Sequence, residues 1–466
     1  MPIDPELAFA PVRILGQKLR AREITSVALT EFFVDRLDRI GPQFNAVVTV
    51  TRKLALQQAA DADRELASGR DRGPLHGIPY GAKDLLATKG IPTTWGAAPY
   101  RDRVIDEDAT VIVRLREAGA VLAAKLSMVE IAGGFGYRQA DAAFTGPGLC
   151  AWDRRSWSGG SSCGSGSAVG AGLVPFAIGT ETWGSITTPA GYCGVTGLRP
   201  TFGRVSRHGA MALSWSMDKI GALGRTVDDC GLVLNAIAGP DANDPDSASR
   251  PFRYPSDEAP RPPFRIATLR GAADHVQPEV KANYEQSLDA LRKFATLEDT
   301  SLPDLPYSAV ASTILHAEAS AAFEGMIVSG EVWDLTALED RPGGHAGLFI
   351  PAKDYINALR IRGKLQRSLD EFFARFDAVV TPTLATVAPP IDRSFASYQR
   401  GFRGTAIGGA GNVVGLPAIT IPNGFGDRGL PTALQFVARA FDDVKLIAIA
   451  AAYQSATEWH QRHPAI

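Results

Sequence analysis

The stretch Ser158-Gly159-Gly160-Ser161-Ser162-Cys163-Gly164-Ser165-Gly166-Ser167 runs directly into Ala168-Val169-Gly170-Ala171-Gly172-Leu173-Val174-Pro175-Phe176. Gly/Ser-rich runs usually serve as flexible linkers and stay polar. This one leads without polar filler into small apolar residues fit for tight burial, so it reads as a turn inside a packed core. A second turn follows at Thr180-Glu181-Thr182-Trp183-Gly184-Ser185-Ile186, with Ser185 standing 24 residues after Ser161. Small residues in both turns let backbone N–H groups approach a ligand and leave a hydroxyl unshielded. A serine so placed can attack a carbonyl if a base takes its proton and N–H groups hold the oxyanion. A phosphate-binding loop is excluded because no Gly-Lys-Ser/Thr follows. Nor does Gly184-Ser185-Ile186-Thr187-Thr188 satisfy the Gly-x-Ser-x-Gly nucleophile elbow.

Around these turns the chain alternates helix and strand. Leu29, Phe33, Leu37 and Ile40 recur at helical spacing between Thr25 and Ile40, with Gly41 as a stop. Arg52 to Ala67 predicts a second helix, and Leu75 to Asp84 a short strand entering a turn. Val111 to Glu117 then Gly119 to Lys125 reads as helix followed by buried strand, the alternation of an α/β protein. Asp228 to Ala238 predicts a helix, residues 240–264 a Pro/Asp/Ser-rich loop, and Pro263 to Leu269 a strand. Further on come a long helix over Tyr355 to Phe373 and a strand at Asp377 to Pro382. Ala418 to Pro422 and Ala433 to Ala438 read as a hairpin pair. There is no internal repeat and no linker long enough to divide the 466 residues, although that length alone would suggest roughly three domains.

Composition excludes several function classes. Lys and Arg total 48 against 50 Asp and Glu, which gives no electrostatic reason for nucleic acid or an anionic membrane as partner. The four cysteines, Cys150, Cys163, Cys193 and Cys230, show no metal-ligand spacing and are expected to pack as reduced, small apolar residues. The N-terminus lacks the pattern of a signal peptide. No apolar run approaches the roughly 18 residues of a membrane span. A soluble cytoplasmic protein is the default expectation.

A serine nucleophile needs a base, and the chain has only seven histidines, of which His76 and His208 lie nearest the turns in sequence. Lysine can serve instead if burial lowers its pKa enough for a neutral amine near pH 7. Lys83 is the candidate, with Ile78-Pro79-Tyr80-Gly81-Ala82 before it and Leu85-Leu86 soon after. Most lysines are solvated surface charges, and this apolar neighbourhood is what sets Lys83 apart.

Gly77-Ile78-Pro79 with Lys83-Asp84, Gly159-Gly160-Ser161-Ser162 and Gly184-Ser185-Ile186 occur in the order and spacing of the amidase signature family, which the chain resembles. The likeness continues through Cys193 to Ser206, and recurs at Asn412 to Ala418 and Leu430 to Gln435. It covers nearly the whole chain and is weakest between about Pro240 and Ile350. The resemblance implies one α/β domain over residues 1–466, a mixed central β-sheet sandwiched by α-helices. Its core motifs would span about 75–240, a divergent specificity or lid region about 240–350, and the completion of the sheet 351–466. It further implies a Ser–cis-Ser–Lys triad in which Ser185 is acylated, Ser161 bridges through a cis peptide bond after Gly160, and Lys83 is the base. Backbone N–H groups of Thr182, Trp183, Gly184 and Ser185 match the family's oxyanion hole. Ala132, Phe135 and Tyr137, with Met128, fall where the family lines its acyl side, although aromatics at such positions are more often core than contact.

The reaction so implied is hydrolysis of a carboxamide C–N bond through an acyl-enzyme, without metal or cofactor. Substrates would be small amides, carbamates or esters, consumed with water by a monomer or homodimer. Two other readings stand beside it: the glutaminase component of a tRNA-dependent amidotransferase, and a catalytically silent binding protein. Three departures bear on the choice. The family commonly has Gly at Trp183, Arg at Thr187 and Asp at Glu181. Trp183 either packs beneath the turn or narrows the pocket, and losing the Arg removes a possible ion pair. The stretch His316 to Phe349, with Phe323, Met326 and Trp333, reads as a lid or as an ordinary surface excursion, within a candidate lid over 304–350.

Overall fold

Buried strands read as near-continuous runs of small and branched apolar residues because both of their faces are covered. The strands, in chain order, are β1 (Val47–Val50), β2 (Pro79–Lys83), β3 (Val121–Leu126), β4 (Leu149–Cys150), β5 (Asp153–Trp157), β6 (Phe176–Glu181) and β7 (Thr196–Arg199). They continue with β8 (Lys219–Gly224), β9 (Phe264–Leu269), β10 (Ala295–Thr300), β11 (Ala378–Pro382), β12 (Ala418–Phe425) and β13 (Pro431–Val437). This computed structural model describes residues 3–338 and 341–466. Met1 and Pro2 of the N-terminal reading, and Glu339 and Asp340 of the candidate lid, lie outside the described residues.

Eleven strands form one mixed sheet in the order β1-β3-β2-β6-β8-β7-β12-β13-β11-β9-β10, while β4 and β5 pair by themselves. β2 runs parallel to both β3 and β6, and β9 parallel to both β10 and β11. Side chains alternate across each strand. On β3, Leu122 joins one apolar core while Val121 and Ala123 join a second, so helices cover both faces. The α/β sandwich expected from the sequence is the observed fold.

Several helix ends follow from single residues. The Thr25 hydroxyl accepts the Ala28 N–H and starts the helix Ser26–Arg39. Thr226 and Asp229 form a capping box that starts Val227–Ile237. The Gly/Ser run is a wholly buried helix, Cys163–Gly170. Its close approach needs glycine, since a Cβ on Gly164 would lie 2.5 Å from the Ala46 carbonyl oxygen and the Ser127 nitrogen.

The sequence reading assigned no elements between Leu269 and Tyr355, where the chain forms a helix (Pro278–Leu291), the edge strand β10 and a further helix (Tyr307–Ala322). β10 carries Ala-Thr-Leu-Glu-Asp-Thr with no residue fully buried, so its pattern resembles a polar loop. In the candidate lid, Phe323 and Met326 join the main core, whereas Trp333 and Phe349 are exposed. Among the described residues no helix is long and apolar enough to cross a membrane.

Candidate active site

Lys83 closes β2 and is fully buried. Pairing of Ala82 with Ile178 on β6 brings Lys83 alongside Thr180. Its Nζ donates to Ser161 Oγ at 2.7 Å and to Thr180 Oγ1 at 2.9 Å. Burial brings this ammonium down to about 7, against the opposing influence of Cys163, Asp218 and Glu181. Ser161 sits at a cis Gly160–Ser161 bond between β5 and the helix Cys163–Gly170.

The second turn lies against the first: Ser162 N–H donates to the Ser185 carbonyl at 3.3 Å, and Ser185 is only 5% exposed. Gly184 adopts φ +88°, a left-handed conformation that a side chain would strain. Glu181 Oε2 accepts the N–H groups of Ile186 and Thr187, both at 2.9 Å, and the Thr187 hydroxyl at 3.1 Å. Arg199 Nη1 donates to the other oxygen at 2.6 Å. Burial alone would raise the Glu181 pKa, but Arg199 and Lys219 outweigh it and hold the carboxyl at about 2. The ion pair at this turn is made with Arg199 from β7, and Thr187 adds its hydroxyl to the same carboxylate.

The next N–H groups behave differently. Those of Trp183, Gly184 and Ser185 meet no hydrogen-bond acceptor among the described residues. Three consecutive free donors beside a serine hydroxyl can together hold an oxyanion. Trp183 does not pack beneath the turn. Its indole is 36% exposed and lies against Gly409, where a Cβ would come within 3.1 Å of the indole Cζ2.

A cavity of about 340 Å³ is lined by Thr180 and Thr182 beside the site, and Lys83, Ser161 and Ser185 are not among its lining residues. Ala132, Met211, Leu213 and Ile220 supply apolar wall, and Arg207, Asp244 and Asp246 stand at one part of its lining. Phe135 and Tyr137 are not among the lining residues. Phe135 packs edge-on to Phe323 at 5.7 Å, and Tyr137 edge-on to Trp157 at 5.7 Å and Phe395 at 6.1 Å. Met128 is wholly buried in the main core.

Charged groups in the cavity wall are already paired. Arg207 bridges Asp244 and Asp246. Asp218 Oδ1 accepts the Thr182 hydroxyl at 2.5 Å, and its Oδ2 accepts the N–H groups of Leu213 and Ser214 at 2.8 and 3.0 Å. Lys219 Nζ donates to Asn412 Oδ1 at 2.9 Å.

Thr180, Arg199, Asp218 and Lys219 escaped the sequence reading. A signal existed in Leu198-Arg199 and Lys219-Ile220-Gly221-Ala222-Leu223, charges beside apolar strand residues that can be buried only with partners. The four cysteines are free and buried. Burial pushes the Cys163 thiol up, which disfavours a thiolate nucleophile there. Among the described residues no three His, Cys, Asp or Glu side chains are grouped to hold a metal ion.

A family model described as Amidase matches residues 28–447. The chain is 36% identical to the A component of the glutamyl-tRNA(Gln) amidotransferase of Roseiflexus sp. (strain RS-1), an alignment covering 96% of each. The native peptide amidase of Stenotrophomonas maltophilia superimposes with a TM-score of 0.83 and 33% identity over 97% of both chains. A protein of a vestigial complex tied to the evolutionary origins of an s-triazine catabolic enzyme superimposes at 0.88, with 28% identity over 96% of this chain and 99% of that one.

Proposed function

This chain belongs to the Amidase family, the amidase signature enzymes that hydrolyse amide C–N bonds, and from that premise we propose that it does so through Ser185, Ser161 and Lys83. The observation that carries this reading is the buried Lys83 amine, brought to about 7 and bonded to Ser161 next to three free N–H donors. Ser185 Oγ attacks the substrate carbonyl carbon while its proton passes through Ser161 to neutral Lys83. The N–H groups of Trp183, Gly184 and Ser185 receive the negative oxygen. The proton then returns along the same path to the leaving nitrogen as the C–N bond breaks. Water attacks the resulting ester, and Ser185 leaves with its proton restored.

The substrate we propose is a neutral amide, aryl amide or carbamate, with esters as a side activity. The apolar wall of the cavity supports this: Ala132, Met211, Leu213 and Ile220 line it, and Asp218 and Lys219 are engaged by protein groups. One sheet drawing strands from residue 47 to 437 supports the chain acting as one domain. A second reading, glutamine hydrolysis inside an amidotransferase complex, is favoured by the relative that bears such a complex's name. A panel of anilide, carbamate, ester and glutamine, run with a serine-directed fluorophosphonate, separates the two. Anilide, carbamate or ester turnover blocked by a label on Ser185 supports the first. Ammonia released from glutamine alone supports the second, and a label elsewhere overturns the triad.

A further inference from the structure

Neither Asp218 nor Lys219 takes part in the proton path, yet both hold the same residue of the oxyanion turn, Lys219 buried and Asp218 half-buried. Asp218 takes the Thr182 hydroxyl, and Lys219, the first residue of β8, donates from Nζ to the Thr182 carbonyl at 3.3 Å. The same Nζ donates to Asn412 Oδ1 at 2.9 Å, and Asn412 is fixed in turn by its Nδ2 on the Gly408 carbonyl at 2.9 Å. The Thr182–Trp183 bond is trans, so its carbonyl and its N–H point in opposite directions from one rigid plane. A grip on the carbonyl therefore sets the direction of the Trp183 N–H. Burial works against a charged Lys219 amine and the Glu181 and Asp218 carboxylates work for it, yet the two groups its Nζ bonds directly are the Thr182 carbonyl and the Asn412 amide.

We infer that Lys219, steadied by Asn412, is a positioning residue: by holding the Thr182 carbonyl it aims the Trp183 N–H at the substrate's developing oxyanion. The inference rests on the assignment of Ser185 and its turn as the reaction site. It also gives the bulky Trp183 a place, because the indole lies against Gly409, on the helix that carries Asn412. Helix, lysine and turn then hold the oxyanion donor from one side.

The test uses the full chain and the best substrate of the panel, with Lys219→Met, Asn412→Ala and Ser185→Ala compared with the parent. A deleted oxyanion donor costs roughly 10²–10³ in kcat. A misaimed one should cost less, about tenfold to a hundredfold for Lys219→Met, with KM within about twofold. Inhibition by phenylboronic acid, which becomes tetrahedral on the serine, should weaken in parallel with kcat/KM. Asn412→Ala, which keeps the lysine, should show the same pattern at smaller size and stands in if Lys219→Met fails to fold. Unchanged kcat in the folded variant, or a loss confined to KM, overturns the inference. Turnover retained in Ser185→Ala overturns the site reading beneath it instead.

Discussion

Lys83 on β2 and Lys125 on β3 are neighbours in the sheet, both fully buried, and they differ in the chemistry of their partners. Lys125 meets the Asp84 carboxylate at 2.9 Å, and Asp84 is itself unexposed. Lys83 meets two hydroxyls. Burial lowers both amines, but at Lys125 the adjacent carboxylate works directly against it. A carboxylate beside a buried lysine favours its ammonium and ties strands together; a lysine held by hydroxyls can give up its proton near pH 7. Asp84 follows Lys83 in sequence, yet it serves Lys125, because successive side chains leave a strand in opposite directions. The proposed base keeps its low pKa partly because the nearest carboxylate in sequence points elsewhere.

That contrast can be broken or sharpened by substitution. Ser185→Ala removes the proposed nucleophile and should cost roughly 10⁴-fold or more in kcat, read by steady-state hydrolysis. Lys83→Met should cost about 10²–10⁴-fold, as for a lost general base, with a thermal midpoint no lower than the parent's. Lys125→Met should do the reverse. It strands a buried carboxylate and costs about 3–5 kcal/mol in denaturant unfolding, while the folded fraction keeps its kcat. Equal stability losses in the two variants would erase the distinction.

Acidity offers a gentler probe. The Lys83 amine must be neutral to accept a proton, so kcat/KM should fall as pH drops through about 7. The sign for stability follows too. A folded pKa below the ordinary 10.5 means that the folded state binds fewer protons between about 7 and 10.5, so this group's contribution to stability rises with pH across that window. The smallest effect is expected from Thr180→Val. It removes one acceptor from the ammonium, a bond worth about 1 kcal/mol, and should move the acid limb of the profile to lower pH. A shift to higher pH would mean that Thr180 does not stabilise the charged form.

The legible parts of the fold were those with local causes. The period of Leu29, Phe33 and Leu37 marks a buried helix face, whereas the caps Thr25 and Thr226 emerged only in the structure. The region from Pro278 to Ala322 was opaque because β10 is an edge strand with no fully buried residue. At the site, the two serine turns and the apolar setting of Lys83 stood out in the sequence, and the roles proposed for Lys83, Ser161 and Ser185 came from their match to the family's motifs. Arg199, Asp218 and Lys219 did not stand out, since each serves a residue 18 to 37 positions away.

By itself the sequence determined the two glycine-rich turns, the apolar period of the first long helix and several buried strands, since each depends on residues within a few positions of one another. Only the tertiary structure decided which buried lysine acquired a carboxylate and which acquired hydroxyls. Ala82-Lys83 and Ala124-Lys125 look alike in one dimension. Desolvation and charge act through space over a few ångströms, and the groups that fill that space come from β6, the Ser161 turn and the start of β8.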